Sequence, residues 1–286
     1  MNQRSAYIAL LLLLAATQRC AAQRIHLRGI EGRYDAVVLV ADANSGKILG
    51  GAHAGEAHDR SYHPGSLFKL AIAVAALRSG GFDRSYTYRC VGKDTIAGTV
   101  RRCWDHRGHA TIGFSRALAL SCNLYFRHVA HMVPMREIVQ AARSIGMTPS
   151  PTDDPLPLEA LDDESILGAA YTVSPAQMVT VALALASRGR LAPGGGDLYS
   201  AAYKPLYDGL RECVLNGTAK AAWSPRYTLG GKTGTSEVPG QADQTVGWFI
   251  GFAPFNHPRY AIVVMYRHAR GVEAAAIARK VLEQLL

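Results

Sequence analysis

Three short strings of polar residues, far apart along the chain, carry side chains that together could form and break an acyl bond. They are Ser66-Leu67-Phe68-Lys69, Ser121-Cys122-Asn123 and Lys232-Thr233-Gly234-Thr235. A serine hydroxyl beside a lysine can act as a nucleophile, because a neutral amine can accept the hydroxyl proton. A second hydroxyl and a second amine could pass that proton to a leaving group. The ordered set predicts an acyl-transfer site built around one serine.

The first string is expected to open a buried helix, because residues 67–77 are almost entirely apolar. Ser66 should then lie at the helix N-terminus, where backbone N–H groups are free to bind an oxyanion. Lys69, three residues on, returns to the same helix face. Phe68 and Leu70 should desolvate its amine, which lowers the pKa and favours a neutral base. The simpler alternative is an N-capping serine beside a snorkelling lysine.

The second string places two polar residues, Ser121 and Asn123, within an apolar helical stretch. Their presence there needs a functional or structural explanation. Ser121 could relay a proton from Lys69 or Lys232 to a departing amine. The Asn123 amide could hold both the N–H and the C=O of a peptide-like substrate. The alternative is an ordinary helix-to-helix turn capped by Ser121.

The third string lies in a β-prone segment, where Gly234 would leave room for an extended substrate to add as a strand. Lys232 and the hydroxyl of Thr233 or Thr235 could bind a substrate carboxylate, and the Thr235 N–H could be a second oxyanion donor. Gly-Lys-Thr also invites a phosphate-loop interpretation. That pattern needs a glycine where this chain has Arg226.

The N-terminus has the pattern of a secretory signal peptide. Arg4, an apolar run over residues 6–16 and Cys20-Ala21-Ala22 predict a signal peptide over 1–22, cleaved after Ala22. The protein is therefore expected to be exported, to the periplasm or elsewhere outside the cytoplasm, with an uncleaved N-terminal anchor as the alternative. Of the formal charge of +9, Arg4 and Arg19 belong to the leader, which leaves +7 scattered along the mature chain. Such scatter argues against a nucleic-acid partner.

Strand patterns at both chain ends and helical patterns between them predict an α/β (α+β) fold. The antiparallel sheet is expected to come from both ends, flanked by terminal helices, with an all-helical subdomain inserted. Residues 23–286 should form one catalytic domain, with a sheet part over 34–64 and 228–286 and a helical part over 65–227. Strands are expected at 36–41, 47–51, 244–252 and 259–266, and helices at 70–77, 115–131, 135–145, 175–187, 206–214 and 272–286. The cleft between the two parts would be the ligand site.

Four cysteines remain after cleavage, and export would permit disulfides. Cys90 and Cys103 flank a glycine-containing, β-prone stretch, which predicts a small hairpin cross-linked by a disulfide between them. Cys122 and Cys213 are expected to be buried thiols. Zinc binding is the alternative, but no Cys-x-x-Cys pair supports it, so the sequence predicts neither a metal nor a cofactor.

From about Ala36 to Leu286, the chain resembles the transpeptidase domain of penicillin-binding proteins, within the penicillin-recognising serine enzymes. Cys90-Val91-Gly92, Arg102-Cys103-Trp104 and Gly108-His109 are similar to segments of the elongation-type class B members, which cross-link peptidoglycan. The resemblance implies a catalytic set and a substrate-binding set. The first comprises the nucleophile Ser66, its base Lys69, Ser121, Asn123 and Lys232, and the second comprises Thr233, Gly234 and Thr235.

Two departures from this family pattern stand out. Class B members carry a large N-terminal pedestal, whereas about a dozen predicted mature residues precede the first strand here, which predicts a stand-alone catalytic domain. Gly168-Ala169-Ala170 stands where the family usually has Gly-Gln-Gly.

The resemblance implies a D,D-transpeptidase or D,D-carboxypeptidase that acts on D-Ala-D-Ala stem peptides of peptidoglycan through an acyl-serine. β-Lactams would be covalent inhibitors or substrates. A serine β-lactamase is the alternative, and it would need a base to activate water, for which Glu159 and Glu164 are the candidates. A third interpretation is a non-enzymatic β-lactam sensor or wall-binding module.

Overall fold

Strands from the two chain ends form one central antiparallel sheet. The computed structural model of the chain describes residues 25, 27, 29–148, 171–238 and 241–286. The sheet consists of β1 (Ala36–Asp42), β2 (Ile48–Ala52), β7 (Gly230–Val238), β8 (Gln241–Ala253) and β9 (Tyr260–Arg267). Their spatial order is β2-β1-β9-β8-β7, so the first strands of the chain pair with the last. The predicted α/β fold, with a sheet built from both chain ends, is confirmed.

Side chains of the sheet alternate between two hydrophobic cores, as the pleat of a strand requires. On β1, Val37 and Leu39 face the core shared with most of the helices, whereas Val38 and Val40 face the other core. That second core is closed by the C-terminal helix α7 (Gly271–Leu285). The sheet is thus covered on both faces, and the larger core lies on the side of the helical part.

The helical part contributes six α-helices among the described residues. They are α1 (Lys69–Arg78), α2 (Phe114–Ala119), α3 (Asn123–Met132), α4 (Met135–Ser144), α5 (Pro175–Ala186) and α6 (Lys204–Asn216). The helix predicted over 115–131 is divided into α2 and α3 by the second string. α1 is buried along its whole length up to Leu77, as its apolar sequence predicts. Within the described part of the chain, no helix combines the length and the apolar character that crossing a bilayer requires.

Two small hairpin-like pairs of strands lie beside the helices. They are formed by β3 (Thr87–Cys90), β4 (Lys93–Ile96), β5 (Thr99–Arg102) and β6 (Ala110–Gly113). β4 pairs with β5, as the β-prone stretch after Cys90 predicts, and β3 pairs with β6. Residues at the ends of these pairs contact α3 and its N-cap: Cys103 Sγ lies 3.9 Å from Cys122 Sγ, and the Tyr125 hydroxyl donates to the Tyr86 carbonyl.

Candidate active site

Ser66 lies in a 3-10 turn, Gly65–Leu67, immediately before α1, and this turn is pressed against β7. Gly65 has a φ of +51°, which favours glycine. A Cβ on Gly234 would lie only 2.7 Å from the carbonyl oxygen of Pro64, so glycine is required there as well. From the sequence alone, this space is expected to receive a substrate strand. In the structure, the close neighbour is the turn that carries Ser66.

The Lys69 amine joins the first string to the second. Its Nζ lies 2.8 Å from Ser66 Oγ, 2.6 Å from Asn123 Oδ1 and 3.3 Å from Ser121 Oγ. The side chain is completely buried. Desolvation, and after it the nearby charge of Lys232, lowers the pKa of Lys69 well below its ordinary value. The neutral amine in contact with the serine hydroxyl is therefore favoured relative to that of an exposed lysine.

The Ser121 hydroxyl lies between the two buried amines, 3.3 Å from Lys69 Nζ and 2.9 Å from Lys232 Nζ. Its backbone has a φ of +54°, a left-handed conformation that is uncommon for residues other than glycine and is often found at functional sites. This turn between α2 and α3 points the hydroxyl at both lysines. The four side chains form a continuous hydrogen-bonded chain from Ser66 through Lys69 and Ser121 to Lys232.

Lys232 is also completely buried, on β7, where desolvation lowers its pKa to about 8. The hydroxyl of its neighbour Thr233 is hydrogen-bonded to the Thr218 hydroxyl, with 2.6 Å between the two oxygen atoms. Thr235 accepts a hydrogen bond from the Gly271 N–H, 3.0 Å away. These contacts fix the hydroxyl groups along the edge of the sheet, next to the amines.

An open cleft of about 460 Å³ exposes these groups. Lys69 and Lys232 lie behind its wall, whereas the other predicted site residues line it, together with residues that the sequence did not indicate. The lining consists of Ser66, Trp104, Ser121, Asn123, Thr218, Thr233, Gly234, Thr235, Ser236, Glu237, Thr245, Arg270, Gly271 and Val272. Gly217-Thr218-Ala219 also resembles a segment of the transpeptidase family, and this is the weak signal that could have indicated Thr218. Trp104, Glu237 and Arg270 had none as cleft residues.

The predicted disulfide between Cys90 and Cys103 is wrong in this structure, because both residues are free thiols. The hairpin that separates them does bring them close. Two further side chains, those of His109 and Cys122, lie beside them. Cys90, Cys103, His109 and Cys122 form one cluster, in which the four donor atoms lie within 4.8 Å of one another. The expectation of no metal site relied on the lack of paired spacing in the sequence, and these four residues could hold a metal ion. Cys122 and Cys213 are buried thiols, as predicted.

Other sequence predictions lie outside the described residues. These are the signal peptide over 1–22, the candidate water-activating residues Glu159 and Glu164, and the segment Gly168-Ala169-Ala170.

Fold and site together place a serine hydroxyl on a hydrogen-bonded chain with two buried lysine amines, in a cleft between a sheet and a helical part. The family model described as "Penicillin binding protein transpeptidase domain" matches residues 36–285. The chain therefore belongs to the penicillin-binding protein transpeptidase domain family, as its motifs indicate.

Curated relatives agree with this assignment. The chain is 24% identical to Peptidoglycan D,D-transpeptidase MrdA of Acinetobacter baumannii, in a match that covers 79% of this chain and 42% of the relative. It is 23% identical to Stage V sporulation protein D of Bacillus subtilis, where the match covers 74% of this chain and 39% of the relative. The chain thus spans less than half the length of these relatives.

Solved structures share the fold. The transpeptidase domain of penicillin-binding protein 3 from Burkholderia pseudomallei superposes with a TM-score of 0.73 at 19% identity, covering 88% of this chain and 87% of that one. PBP2 from Helicobacter pylori, solved as a complex with MreC, superposes with a TM-score of 0.71 at 18% identity, covering 88% of this chain and 60% of that one. At these identities the likeness concerns the fold alone.

Proposed function

We propose that the protein is a penicillin-binding D,D-transpeptidase or D,D-carboxypeptidase that acts on D-Ala-D-Ala stem peptides of peptidoglycan through an acyl-Ser66 intermediate. The observation that carries this proposal is the contact of 2.8 Å between Ser66 Oγ and the fully buried amine of Lys69. The curated relatives that are named Peptidoglycan D,D-transpeptidase MrdA support the same reaction class.

Acylation begins when neutral Lys69 takes the hydroxyl proton and Ser66 Oγ attacks the carbonyl carbon of the bond between the two D-Ala residues. The pKa of Lys69 is lowered chiefly by desolvation, which favours this neutral form. The developing oxyanion would be bound by the backbone N–H groups of Ser66 and Thr235. Asn123, whose amide oxygen accepts from Lys69, presents its amide at the cleft wall to the substrate backbone.

Departure of the terminal D-Ala requires a proton on its nitrogen. The proton taken by Lys69 can reach it through the Ser121 hydroxyl, which lies between Lys69 Nζ and Lys232 Nζ. Lys232, with a pKa lowered to about 8, is largely cationic at neutral pH and attracts the carboxylate of the substrate. Thr233 and Thr235 add hydroxyl groups at the same edge, so one end of the cleft is suited to an anion.

The acyl group then passes to an amine or to water, which distinguishes a transpeptidase from a carboxypeptidase. β-Lactams would acylate the same serine as covalent inhibitors. We also propose that the chain is exported through the N-terminal segment 1–22 and acts outside the cytoplasm, where peptidoglycan is cross-linked.

A single comparison tests the proposal against the β-lactamase and sensor alternatives. The purified protein is incubated with a fluorescent penicillin, and the lifetime of the adduct and the turnover of a D-Ala-D-Ala stem peptide are measured. A lasting adduct with peptide turnover is expected. Rapid loss of the adduct would establish a β-lactamase, and a lasting adduct without peptide turnover would favour a sensor.

A further inference from the structure

We propose that Glu237 and Arg270 form a subsite for a zwitterionic side chain, one that ends in both an ammonium group and a carboxylate, on the residue that precedes the two D-Ala residues of the substrate. The inference rests on the proposed function, because it requires a cleft that binds a stem peptide. Glu237 pairs with the ammonium group, and the Arg270 guanidinium pairs with the carboxylate. The two residues select the stem peptide and take no part in acyl transfer.

Glu237 and Arg270 are the only charged residues among the described residues that line the cleft, since Lys69 and Lys232 lie behind its wall. Both are exposed, and neither forms an ion pair within the described part of the chain. The carboxylate of nearby Glu273 accepts a hydrogen bond from the Arg270 backbone N–H. Two unpaired charges of opposite sign in a binding cleft are complementary to a ligand group that carries both signs.

Glu237 and Arg270 lie on the same side of the cleft. Side chains two positions apart on a strand point to the same face of the sheet, and Thr235 uses that face to accept a hydrogen bond from the start of α7. Thr245, which pairs with Glu237 across the two strands, donates to the Ala269 carbonyl over 2.9 Å. Ala269 immediately precedes Arg270. The carboxylate and the guanidinium therefore extend from neighbouring positions on the α7 face of the sheet.

The direction of the bound substrate places this pair beside the residue before the two D-Ala residues. In the proposed function, the terminal carboxylate lies near Thr233 and the reacting carbonyl lies near the Thr235 N–H. A substrate strand that adds antiparallel to β7 then continues with its earlier residues toward Glu237. Glu237 is two positions beyond Thr235, which is about 7 Å along the strand. A side chain with several methylene groups can span this distance.

A side chain with a single charge fits the pair less well. A lone ammonium group would leave Arg270 as an unpaired like charge beside it, and a lone carboxylate would do the same with Glu237. Because both residues are exposed, each matched charge should change the acylation rate only about two- to fivefold. If the two charges were merely solvated, no such preference would exist.

Acylation of the full-length protein by two cephalosporins tests the subsite. Cephalosporin C has a side chain that ends in an α-amino acid, and its 7-adipoyl analogue lacks only the amino group. Each second-order rate, measured by mass spectrometry, is divided by the rate of the same variant with benzylpenicillin, so that general effects on acylation cancel. The wild type should prefer cephalosporin C about two- to fivefold, because only its ammonium group pairs with Glu237.

Two variants separate the two charges. Glu237→Gln should abolish the preference for cephalosporin C over the analogue. Arg270→Gln should keep the preference but lower both normalised rates about two- to fivefold, because both compounds carry the carboxylate. Glu31→Gln and Arg60→Gln are the matched controls, since both residues are exposed and lie outside the cleft lining, and they should keep the wild-type ratios.

The wild-type protein gives a second test without any substitution. Its preference for cephalosporin C should fall toward one when the ionic strength is raised from about 0.02 M to about 0.5 M, because salt screens exposed charges. An equal rate for the two cephalosporins, or a preference that survives in Glu237→Gln or at high salt, would overturn the subsite. Failure of benzylpenicillin to acylate the wild type would instead refute the proposed function, and the subsite with it.

Discussion

Replacing Lys69 by methionine should stop acylation while leaving the fold intact. Lys69 Nζ is the amine in contact with Ser66 Oγ, so its loss removes the general base, a contribution of about 10²- to 10⁴-fold in rate or about 3–5.5 kcal/mol of activation free energy. Methionine fills the space of the buried lysine stem, whereas alanine would leave a cavity that costs about 2–5 kcal/mol. The acceptors that lose the amine belong to Ser66, Ser121 and Asn123, which line the cleft, where water can reach them.

The assay is the second-order rate of labelling by fluorescent penicillin, measured beside the thermal unfolding midpoint. Because an apolar group replaces a buried amine, the free energy of unfolding should change by less than about 1.5 kcal/mol. Leu70→Met is the matched control, since Leu70 is equally buried at the next position of the same helix. It should label at the wild-type rate. If the Lys69→Met variant is labelled as fast as the wild type, the role of Lys69 as the base is refuted.

Three further changes test other parts of the site. The acylation rate should rise with pH as Lys69 loses its proton and fall again above about pH 8 as Lys232 loses its charge, so a pH–rate profile without that alkaline limb would contradict the assignment of Lys232. Gly234→Ala should slow acylation and lower the free energy of unfolding by about 1–3 kcal/mol, because the new Cβ meets the Pro64 carbonyl. Gly55→Ala, where a Cβ meets nothing within 4 Å, should change unfolding by less than about 0.5 kcal/mol. Thr218→Val should slow acylation about fivefold, near 1 kcal/mol, by freeing the Thr233 hydroxyl, and an unchanged rate would exclude that contact from substrate binding.

The main strands and helices of the fold can be predicted from the pattern of apolar residues in the sequence. Short, continuous apolar runs rich in valine, within 36–41 and 259–266, predict the two strands that pair at the centre of the sheet. The apolar run after Ser66 predicts the buried helix α1. These signals are local, because they depend only on which positions within one strand or one helix are apolar. Pairing between distant strands then follows from the shared apolar faces.

The contacts between distant residues could not be predicted in the same way. The space at Gly234 is needed by the turn around Pro64, 170 positions earlier, and no local pattern records which neighbour comes so close. Thr218 lies in the site because the connection between α6 and β7 places it beside Thr233. The amines and hydroxyls can be predicted from the motifs, since their chemistry is specific, but the residues that orient them cannot.

The cysteines show where a sequence argument from proximity goes wrong. A hairpin between Cys90 and Cys103 was a correct prediction, and closeness of its ends made a disulfide the natural inference. In the structure, Cys122 and His109 belong to the same cluster as these two cysteines. Their spacing along the sequence does not match a recognised metal-binding motif. Ligands supplied by four separate segments leave no compact motif in the sequence.

The nucleophile is identified most directly by locating the penicillin adduct by mass spectrometry of the digested protein. We expect one added penicilloyl group per chain, on the peptide that contains Ser66, and none in Ser66→Ala. Ser79→Ala, which changes the C-cap serine of the same helix, should label like wild type. An adduct on any other residue, or undiminished labelling of Ser66→Ala, would contradict the assignment of Ser66 as the nucleophile.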